Sequence, residues 1–532
     1  MKRPRVALRR CLFCLALLLL AASGRSEVVR IEIDSREPLA GGHSFGDVGP
    51  YEKHLYIKEG FLLAADAEAI VHEAEGQRFS DDPMSRIVDA AGEYLAAAPG
   101  KKAKLEQQLR QYEGPVEPVI SRLIAALPKR WEKTTGSLDD QHFTAPGLCE
   151  KYKDDLLYFF VPKDYSPSRP FGLLILMHGG GHGSPRKSAR VAVASPEQMQ
   201  SAYGFRPHID NIPFISVAPS APWNTENSAR WNLPEADDYI DAVIRECGYR
   251  FNIDRDRVFL GGVSMGGFGA YHLCQRLADR IAGGIPCAGS WACSNWRCMI
   301  GTPLFIMHGS ADAVAPGTPG EKARPRFTDV FFARAAHKLL SEAGVEHVYS
   351  EYKGGHWPRG EEKSVPEMVK WLEGKRRDPF CPRVVALTPR GWNATVDTET
   401  PHHRWVSILE VGDGRIDFDQ VKRTGPGPKW KEPLEDFNKQ GFELVKKPIG
   451  AGLVDARYQG DNRFEVATEN VKKFSLWLHP KMVDFAKPVT VIVNGKQQTH
   501  QARPTFLDAL RSYHRRTDWG LIYHCELAVA VE

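Results

Sequence analysis

Between residues 155 and 352 short apolar runs alternate with amphipathic stretches, and this alternation limits the possible folds more than any other feature of the chain. The runs at 155–161 (DLLYFFV), 172–178 (GLLILMH), 213–218 (PFISVA), 257–262 (RVFLGG), 303–308 (PLFIMH) and 347–352 (HVYSEY) have the length and composition of strands. Among the intervening segments, Ala236, Tyr239, Ile240, Val243, Ile244 and Cys247 recur at steps of three and four, one buried stripe of a helix opened by Pro234. Strands that alternate with helices predict a doubly wound, mostly parallel sheet covered on both faces.

The fourth strand runs into Gly262-Val263-Ser264-Met265-Gly266, and a helical segment (FGAYHLCQRLADR, 268–280) follows. A GxSxG turn between strand and helix presents its serine hydroxyl at the end of the sheet, so Ser264 is the expected nucleophile. A serine hydroxyl needs a base at neutral pH, and the base needs a third group to hold its tautomer. Asp312 follows the strand PLFIMH and is the expected acid; His356 follows HVYSEY on a two-glycine bend and is the expected base. Their separations of 48 and 44 residues each leave room for one helix and one strand. Asp329 is the competing acid, and His308 and His337 the competing bases. His178-Gly179-Gly180-Gly181 begins at a strand end, where the backbone N–H of Gly180 or Gly181 joins that of Met265 as expected oxyanion donors. His178 then orients the loop. Trp223 and Trp357, with Trp231 and Trp291, are expected either to line a substrate pocket or to pack in the core.

Outside this section the chain changes character. Five basic residues (Lys2, Arg3, Arg5, Arg9, Arg10) precede the apolar run CLFCLALLLLAA and the small residues Ala22, Ser23 and Gly24, the pattern of a cleaved leader over 1–24 and export to a secreted or periplasmic location. Setting those five aside, the formal charge of +4 becomes 65 basic against 66 acidic residues, which argues against nucleic acid as a partner. No later segment is long and apolar enough for stable membrane insertion after cleavage. Residues 25–150 read as strands at 27–37 and 59–72 followed by three helices over 82–127, broken at Pro99-Gly100 and Gly114-Pro115. The hydrolytic section spans 151–375. A basic, Pro-containing stretch (374–383) reads as a linker to a β-rich domain over 383–532, for which a sandwich is the economical arrangement, with a hairpin turn at Asn494-Gly495.

Eight cysteines remain beyond the leader, and Cys287, Cys293 and Cys298 lie within twelve residues of one another. Their spacing lacks the paired pattern of zinc ligands, so a disulfide or buried thiols are expected and no metal or organic cofactor. His402-His403 has no ligand-spaced neighbours and reads as an exposed strand edge.

The segments HGGG (178–181), NIDRDRVFLGGVSMGGFGAYHL (252–273), HGSADAVAP (308–316) and GGHWP (354–358) resemble secreted α/β-hydrolase esterases of the polyhydroxybutyrate depolymerase, feruloyl esterase and esterase D group. Such proteins are often labelled prolyl-oligopeptidase-like or phospholipase/carboxylesterase domains. The resemblance covers about 155–375 and implies the α/β-hydrolase fold, with Ser264, Asp312 and His356 as triad and Gly180 and Gly181 in the oxyanion loop. The β-rich remainder looks like the extension found on some bacterial members. The expected activity is hydrolysis of carbohydrate, phenolic or polymer esters through an acyl-enzyme. A prolyl-oligopeptidase-like peptidase and a polymer-binding protein with a vestigial hydrolase core are the alternatives; the oligomeric state is unassigned.

Overall fold

The computed structural model describes residues 83–96, 99–126, 129–180, 189–190, 192, 212–220, 231, 235–312, 328–356, 363–390, 402–425, 441–516 and 518–532. The leader, the strands expected at 27–37 and 59–72, Gly181, Trp223 and Trp357 lie outside the described residues. By contact clustering the chain forms two compact units. One takes in residues up to 129 with 149–151 and 504–524; the other takes in 130–148, 152–503 and 525–532.

Over its described residues the first unit contains α1 (Pro83–Ala96), α2 (Pro99–Arg110) and α3 (Val116–Ala126), broken where Pro99 and Gly114-Pro115 predict. A later helix from the β-rich end of the sequence, Phe506–Arg516, joins them. Ile87, Ala91, Val119, Leu123, Phe506 and Leu510 share its core, and Glu106 takes a two-pronged ion pair from Arg511, with its closer N–O distance at 2.6 Å.

The second unit is built on a sheet of β1 (Gly136–Gln141), β2 (Leu157–Val161), β3 (Phe171–Met177), β4 (Phe214–Pro219), β5 (Ile253–Val263), β6 (Gly283–Cys287), β8 and β9. Between β6 and β8 lies a two-residue strand, β7 (Cys293–Ser294), belonging to another sheet; β8 is Leu304–Gly309 and β9 is His347–Tyr352. The order is β1-β2-β4-β3-β5-β6-β8-β9, antiparallel at β1/β2 and β2/β4 and parallel from β4 to β9. Helices α4 (Glu235–Arg250), α5 (Met265–Arg276) and α6 (Phe331–Ala343) connect successive strands of this sheet, and α7 (Ser364–Gly374) follows its last strand. The stripe expected on α4 is buried from Ala236 to Cys247, with Ile244 half-buried. This is the α/β-hydrolase fold. The chain runs from β3 outward to β4 and then back past β3 to β5, so the connections leaving β3 and β5 diverge and open a crevice at the carboxyl ends of those neighbours.

Strand β6 was not legible in the sequence, because Gly283, Gly284 and Pro286 read as a turn. It is central all the same. A Cβ on Gly284 would lie 2.2 Å from the Cys274 sulfur of α5, so that helix sits on the strand only where side chains are missing. Between β6 and β8 only Gly284 and Cys287 pair, leaving the position of Pro286, which has no N–H, out of that ladder.

The remaining strands are β10 (Arg383–Thr388), β11 (His402–His403), β12 (Val406–Val411), β13 (Ile416–Thr424), β14 (Gly441–Ile449), β15 (Gly452–Tyr458), β16 (Arg463–Glu469), β17 (Val471–Leu478), β18 (Val489–Val493), β19 (Lys496–His500) and β20 (Cys525–Ala530), with α8 (Phe506–Arg516) before the last. They form a five-stranded sheet (β10-β15-β16-β18-β19) and a four-stranded one (β11-β12-β17-β20), and β12 packs on β10 and β15. Asn494 and Gly495 both have positive φ (49° and 86°), the backbone of a type I′ turn between β18 and β19. Strand β10 is buried without alternation: Val385 and Leu387 join the core cluster that holds Trp291 and Trp296 of the catalytic section.

The expected boundary near 375–383 falls inside this second unit, and the stretch read as a linker is pinned. Buried Arg377 donates to Asp256 (2.8 Å) and to the Asp279 carbonyl (3.1 Å), and Arg376 pairs with Asp254 (2.6 Å). Strand β13 pairs with β7, Phe442 of β14 stacks on Phe331 and meets Phe332 edge-on, and Arg297 pairs with Glu469. His403, expected at an exposed edge, is buried with its Nδ1 2.7 Å from Arg390, because the β11–β12 turn is driven into the catalytic section by Arg404. Arg404 is fully buried and donates to the carbonyls of Ala278, Ile300 and Gly301 and to the Thr302 hydroxyl. All eight described cysteines are free thiols, so the cluster at 287–298 takes the thiol alternative.

Arg404→Ala would strand several buried acceptors at once. We expect a loss of about 3 kcal/mol or more, read as a lower urea midpoint, since each unpaired buried group costs about 1–3 kcal/mol. An unchanged midpoint would show that water restores those acceptors.

Candidate functional site

The site grows from the turn between β5 and α5. Met177, the last residue of β3, pairs with Gly262 of β5. A Cβ on Gly262 would lie 2.6 Å from the Met177 carbonyl oxygen, and one on Gly266 only 1.9 Å from it. Both flanking glycines are therefore fixed by the approach of β3 rather than by turn preference. Ser264 between them holds φ 61° and ψ −120°, a conformation that costs a non-glycine residue about 1–3 kcal/mol and that clusters at functional sites. Its N–H donates to the Cys287 carbonyl of β6 (3.1 Å), and its own carbonyl accepts the Phe268 N–H (2.9 Å) to start the helix.

Met265 is the first residue of α5, where backbone N–H groups have no intrahelical acceptor and the helix dipole favours negative charge. The loop after β3 reaches the same end of the sheet. His178 is fully buried, with Nδ1 2.9 Å from the Gly179 carbonyl and Nε2 3.2 Å from that of Ser220. Buried Trp231 donates its indole N–H to the His178 carbonyl (3.1 Å), so this tryptophan braces the loop. Trp291 likewise packs in the core and donates to the Phe332 carbonyl (2.9 Å). Gly180 is half-buried, and no atom of the described residues stands within 4 Å of where its Cβ would be.

Asp312 and His356 meet across the ends of β8 and β9: His356 Nδ1 lies 2.9 Å from Asp312 Oδ2. The Asp312 carboxylate is buried, while the His356 side chain is 23% exposed, an arrangement in which the acid is fixed and the imidazole remains accessible. Backbone bonds join the two loops, from Ser310 N–H to the Tyr352 carbonyl and from Ala311 N–H to that of Gly354 (both 2.8 Å). Burial works to raise the Asp312 pKa, but hydrogen bonds from His308 and His356 outweigh it and hold the carboxyl below the usual carboxylate range.

The competing residues have other partners. Asp329 accepts the Phe331 N–H (2.9 Å) at the start of α6, and His337 on α6 faces His347 (2.8 Å). His308 lies against the acid, its Nε2 3.2 Å from Asp312 Oδ2. Thr328, which sequence reasoning missed, donates to Asp312 Oδ1 (3.0 Å); nothing in the residues before α6 marks it out.

No protein-family model matches the chain. Over 160 residues, 30% of its length, the chain is 26% identical to a bifunctional acetylxylan esterase/xylanase of Neocallimastix patriciarum, and it spans only 21% of that protein. Among solved structures it is similar to a thermostable esterase (25% identity, TM-score 0.33, 42% of this chain and 60% of the other). It is also similar to a thermophilic esterase from the Planctomycetes species Thermogutta terrifontis (16%, TM-score 0.29, 41% and 87%). The strand order, the parallel core and the elbow at the end of β5 carry the fold assignment without those structures. The chain has the α/β-hydrolase fold, and the curated protein that part of it resembles is a bifunctional acetylxylan esterase/xylanase.

Proposed function

We propose that this chain is an exported serine hydrolase that cleaves carboxylic esters of the carbohydrate, phenolic or polymer kind. The observation that carries the reading is the 2.9 Å contact of His356 Nδ1 with buried Asp312, taken together with the strained serine at the end of β5. In this reading Ser264 Oγ attacks the ester carbonyl carbon while His356 Nε2 takes its proton. The carbonyl oxygen becomes an oxyanion held by the N–H of Met265 and that of Gly180 or Gly181. Collapse breaks the bond to the leaving oxygen, which takes the proton from His356 and departs as the alcohol. Water, deprotonated by His356, then attacks the acyl-serine, and the carboxylic acid leaves as Ser264 recovers its proton.

The curated relative directs the choice of ester. Glycoside hydrolysis normally rests on two carboxylates flanking the bond, whereas the reading proposed here needs a serine, a histidine and one carboxylate. Of the two activities in that relative's name, the esterase activity is therefore the one this site would share, and acetyl groups on a plant polysaccharide are the first substrates to try. Export rests on the sequence of residues 1–24; among the described residues no helix is long and apolar enough to cross a membrane.

Purified chain should hydrolyse p-nitrophenyl acetate and release acetate from acetylated xylan, and Ser264→Ala should lower kcat by about 10⁴-fold or more at unchanged fold. Equal turnover by the variant would remove Ser264 from the chemistry, and cleavage of peptides with no action on esters would favour the peptidase. The Asp312 carboxyl also carries a pH signature. A pKa depressed in the folded state stabilises the fold above the unfolded value, and that contribution disappears as pH falls through the lowered native value. Wild type should therefore lose more stability than Asp312→Asn between about pH 5 and pH 2 in urea titrations. Parallel losses would contradict the charged, hydrogen-bonded state of Asp312.

A further inference from the structure

His308 ends the apolar run of β8 and is fully buried, yet the reaction described above does not use it. Its Nε2 lies 2.8 Å from the Thr328 carbonyl oxygen and 3.2 Å from Asp312 Oδ2. Both neighbours only accept, so the ring proton sits on Nε2. Nδ1 is buried and has no hydrogen-bond partner among the described residues. His308 is thus a fixed donor rather than a second base. The oxygen it addresses is the one His356 Nδ1 addresses at 2.9 Å, while Thr328 holds the other oxygen.

We propose that His308 is a positioning residue for the reaction: its ring, fixed by the Nε2 bond to the Thr328 carbonyl, stands 3.2 Å from Asp312 Oδ2 and shares that oxygen's field with the accessible imidazole of His356. The inference rests on Ser264, His356 and Asp312 acting as a triad. Two consequences follow from the geometry. The carboxylate is kept from rotating to follow His356, because Thr328 holds Oδ1 and the fixed His308 ring stands against Oδ2. The imidazolium formed on His356 also faces a partly neutralised acceptor, which keeps it ready to return its proton to the leaving alcohol.

Other groups around the acid do not duplicate this donor. From β6 the Cys287 thiol faces Asp312; burial first, then that negative charge, pushes it up, and Tyr352 at the end of β9 bonds it. Tyr352 also donates to the His356 carbonyl (3.4 Å). Glu351 of β9 feels His308, but its carboxylate is engaged by Arg334 (2.6 Å) and by the Tyr349 hydroxyl.

The test is the pH dependence of kcat/KM on p-nitrophenyl acetate for wild type, His308→Leu, His308→Gln and His308→Asn, each checked for fold by circular dichroism. The Gln amide nitrogen reaches the place of Nε2, whereas that of Asn stops near Nδ1. Leu and Asn should move the acid limb up by about 0.5–1 pH unit, because the whole carboxylate charge then serves His356, and should lower kcat by about tenfold. Gln should restore both. A wild-type limb and rate in folded Leu or Asn variants would overturn the proposal and leave His308 as packing; so would a Gln variant that behaves like Asn. If Leu fails to fold, the Gln and Asn pair decides alone. Failure of the underlying triad gives a different result, since Asp312→Asn would then retain wild-type turnover whatever the His308 variants do.

Discussion

The contact on which the site depends is the approach of the β3 carbonyl at Met177 to the turn that ends β5. At 1.9 Å from a would-be Cβ on Gly266, that oxygen leaves no room for any side chain. The two strand ends can close up only because the turn is bare on both sides of Ser264. Once closed, the strained serine is held by the Cys287 carbonyl on one side and by the first turn of α5 on the other. The loop carrying Gly179 and Gly180 departs from the same strand end, so one steric fact places Ser264 and that loop together. The reversal of strand order at β3 and β5 then sends the connections that leave them in opposite directions.

The parts of the fold legible in the sequence were those whose local pattern agrees with their tertiary role. Strands β2, β3, β4 and β8 and the second half of β5 are buried apolar runs, β9 is a half-exposed edge strand, and α4 carries a clean stripe. The elements that escaped notice have sequences set by a neighbour. Strand β6 is rich in glycine because α5 lies on it, and β13 and β14 are polar because much of each ladder is half-buried. Helix α8 had a signal that was passed over: Phe506, Leu507, Leu510 and Tyr513 lie on one face, and Thr505 caps the Asp508 N–H (3.0 Å). Within the site, the loop-end positions of Asp312 and His356 followed from chain order. The roles of Thr328 and Trp231 did not, since each acts through one hydrogen bond to a distant residue.

The β-rich part of the chain illustrates how packing overrides a composition-based boundary. Basic, Pro-containing text at 374–383 reads as a linker only while its charges have no partners. Arg376 and Arg377 find theirs on the strand that leads to the nucleophile, at Asp254 and Asp256. Beyond it, β10 is buried on both faces, so the inner sheet of the sandwich is also a wall of the catalytic core. A module tethered to recruit substrate would keep its own closed core and a free face. Here the same residues serve both bodies, and Arg404 donates to the Ile300, Gly301 and Ala278 carbonyls of the hydrolase section.

A buried acid is expensive for a fold to keep, and the surroundings of Asp312 show what offsets that cost. Desolvation favours the neutral carboxyl, and a neutral carboxyl would be a weak partner for His356. Bonds from His308 on β8 and His356 beyond β9, with the charge interactions of the same two rings, reverse that preference. The choice of these partners has a chemical reason. A guanidinium at this place would hold the carboxylate more strongly but would also permanently cancel the charge that the imidazolium needs, whereas imidazole rings and the Thr328 hydroxyl fix the group without a permanent cation.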